Sequence, residues 1–477
     1  MNQNWPRHFS PPAVRTNLGS GGLSSYSIAL EGWRRGLEVS FRSDSLQNYS
    51  ISDGSRRVDF EFSLPVSVTE DGTRRLLDRK HETLEALASG GVRVPRGVLI
   101  DSGDDAIQEI KRCSDDIGYP VVLKPNIGST GKGVFSNIAN ESDLIACYEE
   151  LTRTIQPRRI RLEENIQGHD FRVLVVGHQV AGVILRIPAH VVGDGRSTVR
   201  ELIDAKNDVR RRNPFLASGL IRVDFEAERL LYEQALRESS VPEFGQHIVL
   251  RTIANASAGG DSQDVTAEFP EVIKNAAISA LKPFPDLIIA GVDVLYDPSK
   301  PAIPENFAVI EINPRPHIGL NMYPSIGAGQ DVPRSMIDLM FPGRPSVVDC
   351  GTGTLRFNEY SVKNVLRSGS VSSVVLEPAA PSQHLYRIVA RYSRLQYAGS
   401  DRSVPIRTLQ RYASEMRVSG ALDLASDGSA RLFAAAASES VGRRFIGRVS
   451  GVFGQNPSSE HRWRGDVTKG FRVSGPN

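Results

Sequence analysis

The stretch 286–319, DLIIAGVDVLYDPSKPAIPENFAVIEINPRPHIG, constrains the chain more than any other. It reads as two strands, 287–296 and 307–313, joined by a proline-rich turn that excludes helix. Both strands are apolar, yet each carries carboxylates in its middle, where a plain core strand would carry none. Alternate side chains of a strand share a face, so Glu311 and Asn313 point the same way. If the strands pair antiparallel, Asp293 joins them across the ladder. Two carboxylates and an amide oxygen on one spot suit a hard cation such as Mg2+, which takes few protein oxygens and completes its shell with nucleotide phosphates. For any one of these acids alone a solvated edge position is the favoured reading. Three hard donors in register, flanked by Val, Ile and Leu, shift the balance to a metal site.

The 477 residues suffice for two or three domains with sizeable cores. A formal charge of +2 implies no nucleic-acid or membrane partner. Ten lysines stand against forty-seven arginines, so a lysine inside a motif is more informative than usual. Cys113, Cys147 and Cys350 lie far apart, without metal or disulfide spacing, and read as thiols of a reducing compartment. No apolar run approaches the roughly 20 residues of a membrane span, and the start MNQNWPRHFSPPAV has no signal-peptide core. A cytoplasmic protein is expected.

Along the chain, residues 1–75 read as a small α/β module, with a helix over 25–36 and strands over 37–41 and 58–64. An amphipathic helix over 76–89 stops at Gly90-Gly91, before a strand over 92–100. A helix over 106–117, a buried strand over 119–125, a strand over 134–138 and a helix over 142–154 follow. Strands over 161–166, 171–176 and 179–187, a helix over 226–237 and a strand over 247–252 lead through ANASAGGD to a helix over 271–281. After the metal-site strands a helix over 327–341 closes the unit, and the Pro/Gly stretch 342–353 marks a boundary.

The loop from Gly128 to Gly133, with Ser129, Gly131 and Lys132, lets backbone N–H groups approach phosphate oxygens. It lacks the Walker A spacing and sits between two strands, so a phosphate lid on a hairpin is the better picture; a plain turn is equally compatible with the glycines alone. Lys124, among apolar neighbours on the strand VVLKP, is stronger evidence, because a buried lysine needs an anionic partner.

The blocks LLDRKHETLEALASGGVRVP, YPVVLKPNIGSTGKGV, LEENIQGHDFRVLVVGHQV, RIPAHVVGDGRSTVRELID, LRTIANASAGGDSQDVT and GVDV…VIEINP occur in the order found in ATP-grasp ligases. Residues 76–341 resemble that family, above all the ATP-grasp modules of cyanophycin synthetases and bifunctional glutathione synthetases, with D-alanine–D-alanine ligases more distant. The resemblance implies an α+β architecture, the ATP-grasp fold, in which two α+β subdomains grip ATP. It also implies roles. Lys80 and Lys124 would contact phosphates, and the glycine loop would close over them. Glu163 would accept from the adenine amino group, Glu164, Asn165 and Ile166 would offer hinge backbone, and Asp170 would hold the ribose. Asp293, Glu311 and Asn313 would bind two Mg2+, for which Mn2+ can stand in. Arg172, Arg186 and Arg251, beside Asn255, Ser257, Gly259 and Gly260, would face the substrate carboxylate and the transferred phosphoryl group, although a surface charge competes as a reading of Arg186. After Asn313 the related modules continue with a small residue and Pro-Gly, whereas this chain has Pro314-Arg315-Pro316-His317. Arg315 is therefore a candidate for stabilising the acyl-phosphate transition state, and His317 is either structural or a proton acceptor.

Residues 385–473 follow a strand–helix–strand–strand–helix–strand pattern. With SGALDLASDGSARL and GFRV they resemble an acylphosphatase domain of ferredoxin-like fold, joined to the module 76–345 by a linker over 346–384. The family's catalytic arginine falls near Ile406, with Arg407 beside it, and its asparagine position holds Leu424, which implies an inactive or repurposed domain. Taken together these features imply an ATP-dependent carboxylate–amine ligase acting on amino-acid or peptide substrates, as a homo-oligomer with a dimer favoured. A non-catalytic nucleotide-binding regulatory protein is the alternative, and a hydrolase that phosphorylates and clears an acid is a third.

Overall fold

Apolar alternation on one side and charge on the other is what forms the sheet that carries Lys124. The structure, a computed structural model, describes residues 5–14, 19–103, 105–128, 132–345, 354–379, 386–393 and 403–474. Two compact units divide the chain, one built mainly from 58–339 and the other mainly from 25–57 and 340–477.

The first unit holds two antiparallel sheets. One has the strand order Gly97–Asp101, Arg159–Glu164, Val121–Pro125, Phe135–Ile138. Val121, Leu123, Ile160 and Leu162 pack on one side against the helices Ala106–Ile117 and Glu141–Thr154, burying Ile110, Cys113, Leu144 and Leu151. Asn140 caps the second helix by accepting from the Asp143 N–H. The opposite side carries Lys124, Arg161 and Glu163, since Lys124 stands opposite Arg161 and Glu163 is two residues on.

The second sheet has the order Asp261–Asp264, Gln179–Ile187, His169–Val176, Ile289–Tyr296, Phe307–Asn313. Val173, Val175, Val292 and Val294 meet Ile273 and Ala277 of the helix Glu271–Ser279 and Leu84 and Leu87 of the helix Lys80–Ser89. The pairing of the last two strands slips by one residue. Asp293 faces Glu311, but Val294 faces Val309, so Ile310 is extra. Strict alternation would put Phe307 and Val309 on the same side as Glu311 and Asn313. The bulge changes the phase, so Phe307, Val309 and Ile312 all join the core while the polar pair stays on the other face.

Between these strands lies a lobe whose core is Ala189, Val191, Val199, Ile203, Ile221, Leu231, Ile248 and Leu250. It contains the hairpin His190–Val192 with His247–Val249 and the helices Val199–Arg211 and Phe225–Glu233. A reciprocal capping box, Thr198 with Glu201, starts the first helix. Among the boundaries that differ from the sequence reading, two bear on the site. The helix expected over 76–89 is broken into Asp71–Leu77 and Lys80–Ser89, which lets the Lys80 N–H reach the Asn126 carbonyl at 3.1 Å. The strand expected from 92 begins at Gly97, because Val92–Pro95 turns its apolar side chains into the core under the helix.

In the second unit, Val374–Leu376, Glu38–Phe41 and Asn48–Ser52 form antiparallel neighbours. Tyr26, Trp33 and Phe41 surround Phe357 with ring centroids 5.0, 5.6 and 5.8 Å away. The residues 354–379 thus carry two strands and the helix Glu359–Arg367. Further on, Tyr386–Tyr392, the helix Ser403–Glu415, Ser419–Leu424, Ala430–Ala436, the helix Glu439–Phe453 and Ser459–Arg462 follow in strand–helix–strand–strand–helix–strand order. The sheet order is Ser459–Arg462, Tyr386–Tyr392, Ala430–Ala436, Ser419–Leu424, then Phe471–Ser474 parallel to its neighbour. Its core is Ile388, Leu409, Leu422, Leu432, Phe445 and Val449.

Candidate active site

Four strands of the five-stranded sheet line up one row of charge. Arg172 stands opposite Asp293, and Asp293 stands opposite Glu311, while Asn313 faces Gly291 and Arg186 faces Asp170. Arg172 grips Asp293 as a fork, with the second bond at 2.9 Å. Arg186 reaches Asp170 at 2.5 Å and Asp293 at 2.9 Å, so it is no surface charge. Gly291 makes the fork possible. A Cβ there would lie 2.8 Å from the Arg172 Cδ and 3.1 Å from one of its Nη atoms.

Burial alone would raise the Asp293 carboxyl, but the Arg172 and Arg186 charges outweigh it and hold the group below its ordinary value. Asp170 shifts the other way, because burial and the negative Asp293 outweigh Arg186. Burial lowers Arg186 less than Asp293 and Asp170 raise it, so the guanidinium stays firmly charged.

Two carboxylates and an amide suit Mg2+, whose shell needs few protein oxygens. Each of these donors holds a cationic or N–H partner here. Asp293 has the two arginines, Glu311 has Lys80 at 2.7 Å, and the Asn313 Oδ1 accepts from the Arg315 N–H at 2.9 Å. Among the described residues there is no group of three or more His, Cys, Asp or Glu that could hold a metal ion. The donor set that fits is Asp293, Glu311 and the neutral Asn313, with both carboxylates already paired to positive side chains.

On the four-stranded sheet Lys124 has the anionic partner that its burial demands, Glu163 at 2.5 Å. Arg161 holds the other oxygen of Glu163 at 2.6 Å. Glu164 turns away from the sheet to Arg93 at 2.7 Å; burial raises its carboxyl, but the bonds from Arg93 and the Arg96 N–H hold it below its ordinary value. Asn165 accepts from the Asn137 N–H at 2.9 Å, and Ile166 is half-buried. Of the glycine loop, Gly128, Lys132 and Gly133 are described, with Lys132 exposed, whereas Ser129 and Gly131 lie outside the described residues.

Arg251 is buried and bonds Asp224 at 2.7 Å, 3.7 Å from Glu226, both at the start of the helix Phe225–Glu233. The loop beside it is closed by Asn255, whose carbonyl accepts from Ala258 at 3.0 Å and Gly260 at 2.9 Å; Ser257 lies on the turn and Gly259 ends it. Arg210 was not singled out by its sequence context. It is buried and donates to the carbonyls of Gly219, Ala256 and Gly260 and to Asp261, pinning this loop from beneath. Arg315 reaches Glu61 at 3.3 Å while its Nε is buried without a hydrogen-bond partner; His317 is exposed.

Residues 77–201 match the RimK-like ATP-grasp domain. The chain contains an ATP-grasp domain. Over 325 residues it is 30% identical to a bifunctional glutathione biosynthesis protein of Clostridium perfringens, covering 67% of this chain and 41% of that protein. Over 272 residues it is 36% identical to a cyanophycin synthetase of Synechocystis, covering 56% of this chain and 31% of that one. The chain thus spans less than half the length of these relatives. In three dimensions it is similar to the bifunctional glutathione synthetase of Pasteurella multocida, at a TM-score of 0.53 and 24% identity, covering 69% of this chain and 45% of the other. That likeness places the two sheets of the first unit in the ATP-grasp fold. The row Arg172–Asp293–Glu311 and the trio Lys124–Glu163–Arg161 are the charged faces of its two sheets.

Proposed function

We propose that the ATP-grasp domain is an ATP-dependent carboxylate–amine ligase, activating a carboxylate as an acyl phosphate and passing it to an amine with release of ADP and phosphate. The observation that carries the reading is the compensated row of Arg172, Arg186, Asp293 and Glu311, joined to Lys80. Every cation there has a carboxylate to leave, and every carboxylate has a cation to exchange.

In this reading Lys80, Lys124 and the loop 128–133 hold the nucleotide phosphates, Glu163 and the hinge 164–166 read the base, and Asp170 holds the ribose. Asp293, Glu311 and Asn313 take two Mg2+, with Mn2+ as substitute, which when bound neutralise charge on the transferred phosphoryl group. Arg172 and Arg186, released from Asp293, face the acyl carboxylate, since a planar fork binds a carboxylate in two places. Arg315 sits over the acyl phosphate. Arg251 and the loop 255–260 shape the acceptor side and exclude water from an intermediate that water would destroy.

The substrates are proposed to be amino acids or peptides, in keeping with relatives named for glutathione and cyanophycin synthesis. A division into 1–75, 76–345, 346–384 and 385–477, a homodimer and a cytoplasmic site are further parts of the proposal. No helix among the described residues is long and apolar enough to cross a membrane. The C-terminal βαββαβ module is proposed to be acylphosphatase-like but without that activity, with Leu424 half-buried in place of the amide that would orient water.

A screen of amino-acid pairs for ADP release, with mass spectrometry of the product, tests the ligase. ADP release that needs both an acid and an amine supports it. Binding of ATP without turnover for any pair returns the regulatory alternative, and release that needs the acid alone returns the hydrolase.

A further inference from the structure

Arg161 is 2% exposed on a strand whose neighbours Ile160 and Leu162 are core residues, and its position in the sequence gives no reason for a charge there. Its side chain lies on the same face as Lys124 and Glu163. All three are buried, two cations against one carboxylate. Lys124 alone would compensate Glu163, so a second cation at this depth costs desolvation that ion pairing does not require.

What Arg161 adds is fixity. Its Nε donates to the Glu163 Oε2 at 2.6 Å, one Nη lies 2.5 Å from the His81 Nδ1, and the other donates to the Pro95 carbonyl at 3.0 Å. The fork is held from three segments of chain and cannot turn without breaking two of these contacts. Gly97 leaves the space for it. A Cβ there would lie 2.6 Å from the Glu163 Cβ and 3.0 Å from the Arg161 Nη2. Lys124, by contrast, has a flexible stem and other work when phosphates arrive.

We propose that Arg161 is a positioning residue for nucleobase selectivity, holding the Glu163 carboxylate in place as a pure acceptor. The inference rests on the reading of this face as the nucleotide site. A carboxylate bonded by a guanidinium offers only lone pairs to a ligand. It accepts from the 6-amino group of adenine and repels the 6-oxo group of hypoxanthine, an acceptor facing an acceptor. Without Arg161 the carboxylate has one mobile partner, can rotate about its own stem, and loses the geometry that penalises the wrong base. A purely stabilising Arg161 would leave the ratio of the two affinities unchanged.

The test measures, by calorimetry on the full chain, the Kd of Mg-ATP and of Mg-ITP for wild type, Arg161→Met and Arg161→Lys, with melting temperatures alongside. Wild type is expected to prefer ATP about 100-fold. Arg161→Met should narrow the ratio about tenfold, mainly by weakening ATP, and Arg161→Lys should recover part of it because an ammonium still reaches the Oε2. An unchanged ratio in Arg161→Met, or in Arg161→Lys where the methionine variant does not fold, overturns the proposal. Equal wild-type affinities for the two nucleotides overturn it as well, while leaving the nucleotide site standing. Wild type that binds neither nucleotide overturns the underlying nucleotide reading instead.

Discussion

Lys80 and Glu311, 231 residues apart in sequence, meet at 2.7 Å and tie the helix Lys80–Ser89 to the strand Phe307–Asn313. The Glu311 carboxylate is needed twice, as the partner of this lysine and as a proposed metal donor. Glu311→Gln keeps the shape and removes the charge. It should abolish turnover with the fold intact, since an amide cannot hold Mg2+ against phosphates. Circular dichroism together with ADP release at saturating ATP and varied Mg2+ checks this, and normal turnover at ordinary Mg2+ would sink the metal assignment.

The two charged faces should separate in kinetics. Lys124→Ala should raise the KM for ATP whatever the acceptor. It also leaves Glu163 to Arg161 alone. Arg315→Ala should instead lower kcat, because the charge it meets develops during transfer. If Arg315→Ala changes only the KM of one substrate, Arg315 binds a ground-state carboxylate.

Gly291→Ala tests the close approach of Arg172. The added methyl would sit 2.8 Å from the Arg172 Cδ, and the fork on Asp293 must move. A loss of stability of about 1–3 kcal/mol is expected in denaturant unfolding, with a larger relative loss of turnover. Full activity with unchanged stability would show that the strand relaxes freely.

A pH effect should appear in the other unit. Burial raises Glu31, but the bond from His8 and the Arg35 guanidinium outweigh it and bring its carboxyl from 4.5 down to about 2. A depressed carboxyl stabilises fully above its unfolded value and loses that contribution as pH falls through the folded one. The contribution at neutral pH is about 3 kcal/mol. Glu31→Gln should flatten the fall in melting temperature between about pH 4.5 and 2. An identical fall in the variant would assign the acid sensitivity elsewhere.

The βαββαβ module should not hydrolyse acyl phosphates at an enzyme-like rate. Such attack needs a phosphate cradle and a group that holds water. Leu424 cannot hold water, and most of the loop expected to form the cradle lies outside the described residues. Benzoyl phosphate incubated with the full chain, without ATP, should decay at the uncatalysed rate. Faster decay that Arg407→Ala removes would restore a proofreading role.

Lys124 was legible because a lysine among Val, Leu and Pro has few innocent readings, and the Glu311–Asn313 face followed from alternation. Arg161 and Arg210 were not legible. In a chain with forty-seven arginines a buried, structural one looks like any other until partners such as His81, Ala256, Gly260 and Asp261 are brought near from 46 to 80 positions away. The division of 76–89 into two helices was also hidden, because the reason for it is a carbonyl at Asn126 and not a local breaker. The break at the strand Phe307–Asn313 was invisible for a different reason: FAVIEIN is apolar on both parities until Glu311, so the slip shows only in the partner strand.

That slip makes the site depend on a count of residues as well as on their kinds. Deleting Ile310 would keep every acid, amide and arginine of the row and would give a more regular ladder. Without Ile310 plain alternation leaves Phe307, Val309 and Ile312 on one face and Glu311 and Asn313 on the other. Keeping Ile310 without the slip is what would force a choice, with either Glu311 and Asn313 driven into the apolar layer or Phe307 and Val309 turned out of it. Along such a strand a one-residue change in length is tolerated only together with loss of the slip, so the indel spectrum of the segment is a sharper record of its use than its residue composition.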